Sequence, residues 1–367
     1  MGLLDSIPTI ESVTASAYTV PTDEPESDGT LAWTSGTLVL VEAMGAGERG
    51  LGYTYTDESA AELVQKTLAP LVVGQNALAP ECVTHRLVEH TRRFGGAGLP
   101  SQAISAVDVA LWDLKAKLLG LPLVELLGSA RRAVLAYGSG GFTSYADRRL
   151  REQLHAFVEE GMMRVKMKVG RHPNADVRRV EVARDAIGPD TELFVDASGA
   201  YSRKQALEFA DAFYDFGVTW FEEPVPADDI EGLHLLRDRF PPGMDLAAGE
   251  YEAEASRFRR LLEADSVDVL QADATRCLGI TGFRTVAALC ESFAVPLSTV
   301  GAPALHVHLG CSLGSVAHIE RFHDHARMEA LLFDGAPRLT DGRLEPDRTQ
   351  PGHGLVLKRR DAQRFAA

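Results

Sequence analysis

Short apolar runs separated by amphipathic, charge-rich stretches occupy the chain from about residue 133 onward. The runs are VLAYGS, RVKMKVG, ELFVDAS, VTWFEEP, MDLAAGE, VDVLQADA, AVPLSTV and VAHIERFH. Between most of them lie segments such as DRRLREQLHAFVEEG and NADVRRVEVARDAIG, in which apolar residues recur at helical spacing. Eight strands alternating with helices predict a parallel sheet closed into a (β/α) barrel. An open doubly wound sheet is the alternative, but YGSGGFTSY does not carry the ordered GxGxxG expected after its first strand.

The first 130 residues follow another pattern. ASAYTVPT, TLVLVEA and GLGYTYT read as strands, with PTDEPESDGT a polar loop between the first two. Helical patterns then cover roughly 58–72, 81–94 and 101–119, and the last opens at a Ser cap and closes at a Gly. Strands followed by helices predict a separate α+β unit over residues 1–130. The barrel takes 131–325, and the loop-rich segment 326–367, ending in GLVLKRR, is expected to return to the first unit.

Composition narrows the partners. Of 367 residues, 37 are Lys or Arg and 52 Asp or Glu, a net charge of −15 that disfavours nucleic acid and anionic membranes. It leaves an acidic small molecule open, because a local cation or bound metal can reverse the sign within one cleft. Cys82, Cys277, Cys290 and Cys311 form no CxxC pair and read as ordinary thiols of a reducing compartment. The start, MGLLDSIPTI, has no basic-then-apolar leader, and no run is long enough to span a bilayer, so a cytoplasmic location is expected.

The strand ends carry the chemistry. In RVKMKVG, side chains alternate faces, so Lys166 and Lys168 share one side. Asp196 ends the third run, Glu222 and Glu223 the fourth, Glu250 the fifth and Asp273 the sixth, while Glu320 lies in the eighth. From Asp196 the steps to Glu222, Glu250 and Asp273 are 26, 28 and 23 residues, each close to one β/α unit. These side chains therefore return to the same end of the barrel, where barrel enzymes keep their sites. A lone carboxylate there is commonly a helix cap or an ion-pair partner. Three on consecutive strands beside two inward lysines concentrate charge that must be neutralised, and an all-oxygen donor set suits a hard cation such as Mg²⁺.

In order and spacing, these motifs resemble the enolase superfamily, in its mandelate racemase and muconate lactonizing enzyme branch. The resemblance covers essentially the whole chain: QAISAVDVALWDLKAKLLGLPLVELLG, the KxK of VKMKVG, VDA, EEP, GE and DATRCLGITG. It implies an α+β cap over a modified TIM barrel, (β/α)₇β, and Mg²⁺ held by Asp196, Glu222 and Glu250, with Glu223 the less suited acid. It further implies that Lys168 abstracts a proton α to a substrate carboxylate, with Lys166 beside that carboxylate and Glu320 hydrogen-bonded to it. This pairing of a lysine base with Mg²⁺ is a known pattern of the superfamily. Burial and the neighbouring ammonium would move Lys168 toward a neutral amine. Members commonly form homo-oligomers, which is the expectation here.

Two departures shape the functional expectation. Racemases of this branch pair the strand-six acid, here Asp273, with a histidine at the end of strand seven, and that position is Val300. His306 and His308 lie two apart in a helical pattern, face different ways and read as structural. Ser198 stands where an asparagine is usual, next to Asp196. Without the second base, dehydration of a hydroxylated sugar acid is the leading expectation. A racemase or epimerase with another base, or a non-catalytic carboxylate binder, is the alternative. The acid that protonates the leaving hydroxyl stays open among Lys166, Lys168 and Tyr137, with His323 and His325 weaker choices. TDEPESDGTLAW and GLGYTYTDES, the latter carrying Tyr53 as a substrate-binding candidate, would close over the barrel mouth.

Overall fold

A computed structural model describes residues 7–367. The first six residues, part of the start scanned above for a leader, lie outside the described residues. Three antiparallel strands, β1 (Ser12–Ser27), β2 (Ala32–Gly45) and β3 (Glu48–Tyr55), form the cap sheet. Apolar residues on one face of this sheet meet the helices Pro80–Thr91 and Leu99–Leu118 in a continuous core. β1 is longer than its apolar run. PTDEPES keeps to the strand, pairing with β2 at Pro21 and again at Glu26 and Ser27 across a register irregularity, and Glu26 turns inward and is buried while Asp23, Glu24 and Pro25 face water. The long helix starts at Leu99 behind Gly98 (φ 79°), so Ser101 is not its cap; the Ser101 hydroxyl bonds the Gly98 carbonyl from inside the first turn.

Eight parallel strands make the barrel: β4 (Val134–Gly140), β5 (Arg164–Lys168), β6 (Glu192–Asp196), β7 (Val218–Glu222), β8 (Asp245–Ala248), β9 (Val269–Ala272), β10 (Leu297–Thr299) and β11 (Val316–Phe322). Pairing of β11 with β4 closes the ring, which rules out the open sheet. A helix separates each strand from the next, giving (β/α)₇β. Aromatic side chains pack the barrel interior, with the rings of Phe194 and Trp220 stacked at 5.0 Å and Tyr137 against Phe194. After β11 comes the helix His323–Leu332, and a hairpin then joins the barrel sheet beside β4. The chain then reaches the cap, where Ala367 N–H donates to the Ala17 carbonyl. Among the described residues no helix is long and apolar enough to cross a membrane.

Candidate active site

β6, β7 and β8 are adjacent, and the register sets Lys168 beside Asp196 and Asp196 beside Glu222. Asp196, Glu222 and Glu250 each offer a carboxylate oxygen within 4.8 Å of the others. Lys166 reaches across them: its Nζ lies 2.6 Å from Glu222 Oε2, 2.8 Å from Glu320 Oε1 and 3.8 Å from Asp196 Oδ2. Lys168 donates to Asp196 Oδ2. The other Asp196 oxygen accepts from the Ser198 backbone at 2.8 Å and its hydroxyl at 3.1 Å. Ser198 holds this turn at φ 48°, a left-handed conformation that asparagine adopts more readily than serine.

The trio fits a cation on two grounds. Its donors are all oxygen, and Glu222 Oε1 is buried with no hydrogen-bond partner. Glu223, at φ 36°, is buried beside these acids but is not one of the three whose oxygens converge. Burial, and then the Asp196 charge, push the Glu222 carboxyl well above its ordinary range. Burial also disfavours the charge on Asp196, yet Lys168 and Lys166 together hold that carboxyl low. A divalent ion would supply the positive charge that Glu222 lacks.

The lysines do not show the downward shift read from the sequence. Burial is the largest influence and pushes Lys168 toward the neutral amine, but the carboxylates of Asp196, Glu250 and Glu222 together outweigh burial and the Lys166 ammonium, so the net shift is upward. Lys166 is likewise raised, by Glu222 and Glu320 acting against burial. The sequence reading weighed the like charge next door and not the three acids around it.

Above the trio opens a cavity of about 220 Å³. Lys168, Glu250, Asp273 and Glu320 line it; Lys166 does not, being sealed beneath. Glu320 spends one oxygen on Lys166 and the other on the Gly301 N–H at 2.7 Å, while Arg321 pairs with Glu160 instead. Two expected residues stay away from the wall. Tyr137 is fully buried under the lysines, its ring centre 5.5 Å from Lys166 Nζ, so its hydroxyl cannot serve as the acid. Tyr53 is also fully buried and donates to Glu329 at 2.7 Å.

Asp273 is better furnished than the sequence suggested. It accepts from the Thr275 backbone and hydroxyl, and Arg276 Nε lies 3.5 Å away. His306 Nε2 is 3.6 Å distant, yet that nitrogen accepts from the Ala274 N–H while Nδ1 bonds the Gly301 carbonyl. Both ring nitrogens are committed and burial pushes the ring toward neutrality, which fits a structural histidine. His308 bonds the His353 carbonyl, far from the cavity wall. His323 pairs with Asp23, but His325 does line the cavity. Its Nδ1 accepts from the Ala302 N–H at 3.1 Å, so Nε2 carries the proton, and its ring stacks on Tyr55 at 3.4 Å. Arg276 also lines the wall and was missed as a site residue although it sits inside DATRCLGITG.

The match to known proteins spans both units. Residues 14–128 match the mandelate racemase / muconate lactonizing enzyme N-terminal domain, and residues 149–362 the enolase C-terminal domain-like family. A mandelate racemase/muconate lactonizing enzyme-like protein from Rubrobacter xylanophilus is 52% identical, with a TM-score of 0.96 over 98% of this chain and 100% of that one. The 3,6-anhydro-α-L-galactonate cycloisomerase of Streptomyces coelicolor is 33% identical over 95% of this chain and 97% of its own. The L-talarate/galactarate dehydratase of Salmonella typhimurium, solved with Mg and L-lyxarohydroxamate, is 27% identical, with a TM-score of 0.91 over 100% of this chain and 95% of that one. With both domains matched and the barrel-mouth motifs in place, this chain belongs to the mandelate racemase/muconate lactonizing enzyme branch of the enolase superfamily.

Proposed function

We propose that the protein removes the α-proton of a sugar-acid carboxylate and expels the β-oxygen, acting as a Mg²⁺-dependent dehydratase. The observation that carries this is the position of Lys168, whose amine touches the acidic trio and lines the cavity while Val300 supplies no second proton carrier. Asp196, Glu222 and Glu250 would hold Mg²⁺, whose charge stabilises the negative charge that builds on the substrate carboxylate. With the Asp196 charge engaged by a bound ion, burial and the Lys166 ammonium would leave Lys168 as the neutral amine, whose lone pair takes the α-proton. Lys166, fixed between Glu222 and Glu320, keeps those carboxylates oriented and compensated. The electron pair released at the α-carbon forms the new double bond as the β-oxygen leaves. The Lys168 ammonium, now carrying the α-proton, can return it to an oxygen leaving from the same face, and His325 Nε2–H can hydrogen-bond it. One lysine thereby serves as base and acid, which removes the need for a histidine at position 300.

The cycloisomerase relative supports a second reading, in which the leaving oxygen is a ring ether rather than a hydroxyl. The base and the ion are the same; only the departing group differs. Incubation with Mg²⁺ and a panel of sugar acids in deuterated water, followed by NMR, separates the outcomes. A 2-keto acid formed with loss of water is expected. A ring-opened 2-keto acid formed from an anhydro sugar acid without loss of water selects the cycloisomerase. Exchange with inversion at the α-carbon, or silence across the panel, contradicts the proposal.

A further inference from the structure

The outer half of the cavity is built by the cap, from Asp28, Leu31 and Trp33. This loop is held firmly. Gly29 packs so close to the barrel that a Cβ there would lie 2.1 Å from the Ala197 carbonyl oxygen. Ser27 and Thr143 bond through their hydroxyls at 2.6 Å, and the Thr143 N–H donates to the Ser27 carbonyl at 2.8 Å. Asp28 takes the Thr30 and Leu31 N–H groups on Oδ1, at 2.7 and 2.6 Å, which leaves Oδ2 for a donor from the substrate. The Trp33 indole N–H is occupied by Glu26 and Asp324, so that side chain offers the cavity its ring and not its donor. Leu31, Val300 and Phe322 complete an apolar wall.

Charge settles what such a wall accepts. Lys168 and Arg276 are the cations on it, and Arg276 is flanked by Glu250 at 3.7 Å and Asp273 at 3.5 Å. Lys166, below, is paired with Glu222 and Glu320. The cap half of the wall, Asp28, Leu31 and Trp33, adds a carboxylate and no cation. One substrate carboxylate has the metal end to go to. A second, at the far end, would meet the Asp28 carboxylate and apolar side chains, a costly place for an unpaired charge.

Resting on the proposed reaction, we infer that the substrate is a small monocarboxylic sugar acid: it places a hydroxyl on Asp28, carries no charge at its distal end, and excludes the dicarboxylic acid of the same configuration. Matched pairs test this: galactonate against galactarate, gluconate against glucarate, mannonate against mannarate, each with Mg²⁺ and the whole chain. For whichever configuration is turned over, kcat/KM for the monoacid should exceed that for the diacid at least a hundredfold. Asp28→Asn keeps the Oδ1 acceptor for the loop and should cut that ratio at least tenfold, chiefly by improving the diacid. A diacid turned over as well as its monoacid overturns the inference and leaves the reaction standing. If no acid in the panel is turned over, the reaction fails, and calorimetric binding of the same pairs decides the inference by itself. Tighter binding of monoacids upholds it, while equal or tighter binding of diacids, or no monoacid binding, overturns it.

Discussion

Glu26 and Asp324, where β1 of the cap meets the end of β11, and Asp196, Glu222 and the half-buried Glu250, around the ends of β6 to β8, are both groups of carboxylates withdrawn from water. With His323, the first group also brings three donor atoms within 4.8 Å of one another. The two resolve their crowding differently. In the first, Trp33 Nε1–H donates to both acids and the Tyr145 hydroxyl to Glu26 at 3.1 Å, with no lysine or arginine paired to either acid among the described ion pairs. Burial and the neighbouring Asp324 push the Glu26 carboxyl up to about 9, so a shared proton balances the pair. In the second, two lysines on the neighbouring strand keep Asp196 ionised, and Glu222 Oε1 stays free. A proton suffices to fasten the cap to the barrel. A carboxylate held ionised beside one with an unused lone pair is what a cation needs, and keeping Asp196 ionised takes two buried lysines.

Four experiments sharpen that contrast, taken from the largest effect down. Stripping divalent ions with a chelator should reduce turnover to background, with recovery on adding Mg²⁺; activity that survives chelation counts against the trio as a metal centre. Lys168→Ala should slow exchange of the substrate α-proton with deuterated solvent by roughly a hundredfold to ten-thousandfold, the span of a general base. Exchange at the parent rate would remove Lys168 from that role. Lys166→Met leaves Glu222 and Glu320 buried without their cation and should lower unfolding stability by about 3–5 kcal/mol. Chemical denaturation measures it, and a neutral result would mean that the acids do not depend on the lysine.

Glu26→Gln should act in the opposite direction and only with pH. The folded-state value is raised from 4.5 to about 9, so the wild type loses stability as pH climbs between those limits, while glutamine has no proton to lose. Near pH 5 the two proteins should unfold alike. At pH 9 the variant should be the more stable, by about 1.4 kcal/mol for each unit of the shift that is expressed. Parallel stability curves across that range would contradict a proton-held pair.

The barrel and its acidic rim were legible because both follow from strand periodicity. A carboxylate at the end of a parallel strand returns every β/α unit, so Asp196, Glu222, Glu250 and Asp273 announce a shared rim. Depth within the barrel is not written in that way. Tyr137 has the right strand and a buried side chain, yet sits beneath the lysines. Tyr53 is drawn instead to Glu329, 276 residues away, a contact no local pattern signals. The same holds for Glu26, whose acidic surroundings in PTDEPES suggested a solvated loop although it is buried against Asp324 and Tyr145. His325 reached the cavity through the turn after β11, which sequence periodicity does not aim.

Calorimetric titration of Mg²⁺ into the wild type, Glu222→Gln and Glu26→Gln tests the central contrast directly. One site per chain is expected in the wild type, kept in Glu26→Gln and weakened at least roughly a hundredfold in Glu222→Gln, since an ionised ligand outweighs an outer-shell partner worth about 10–100-fold. Undiminished binding in Glu222→Gln, or its loss in Glu26→Gln, would contradict the assignment of the cation to the barrel mouth.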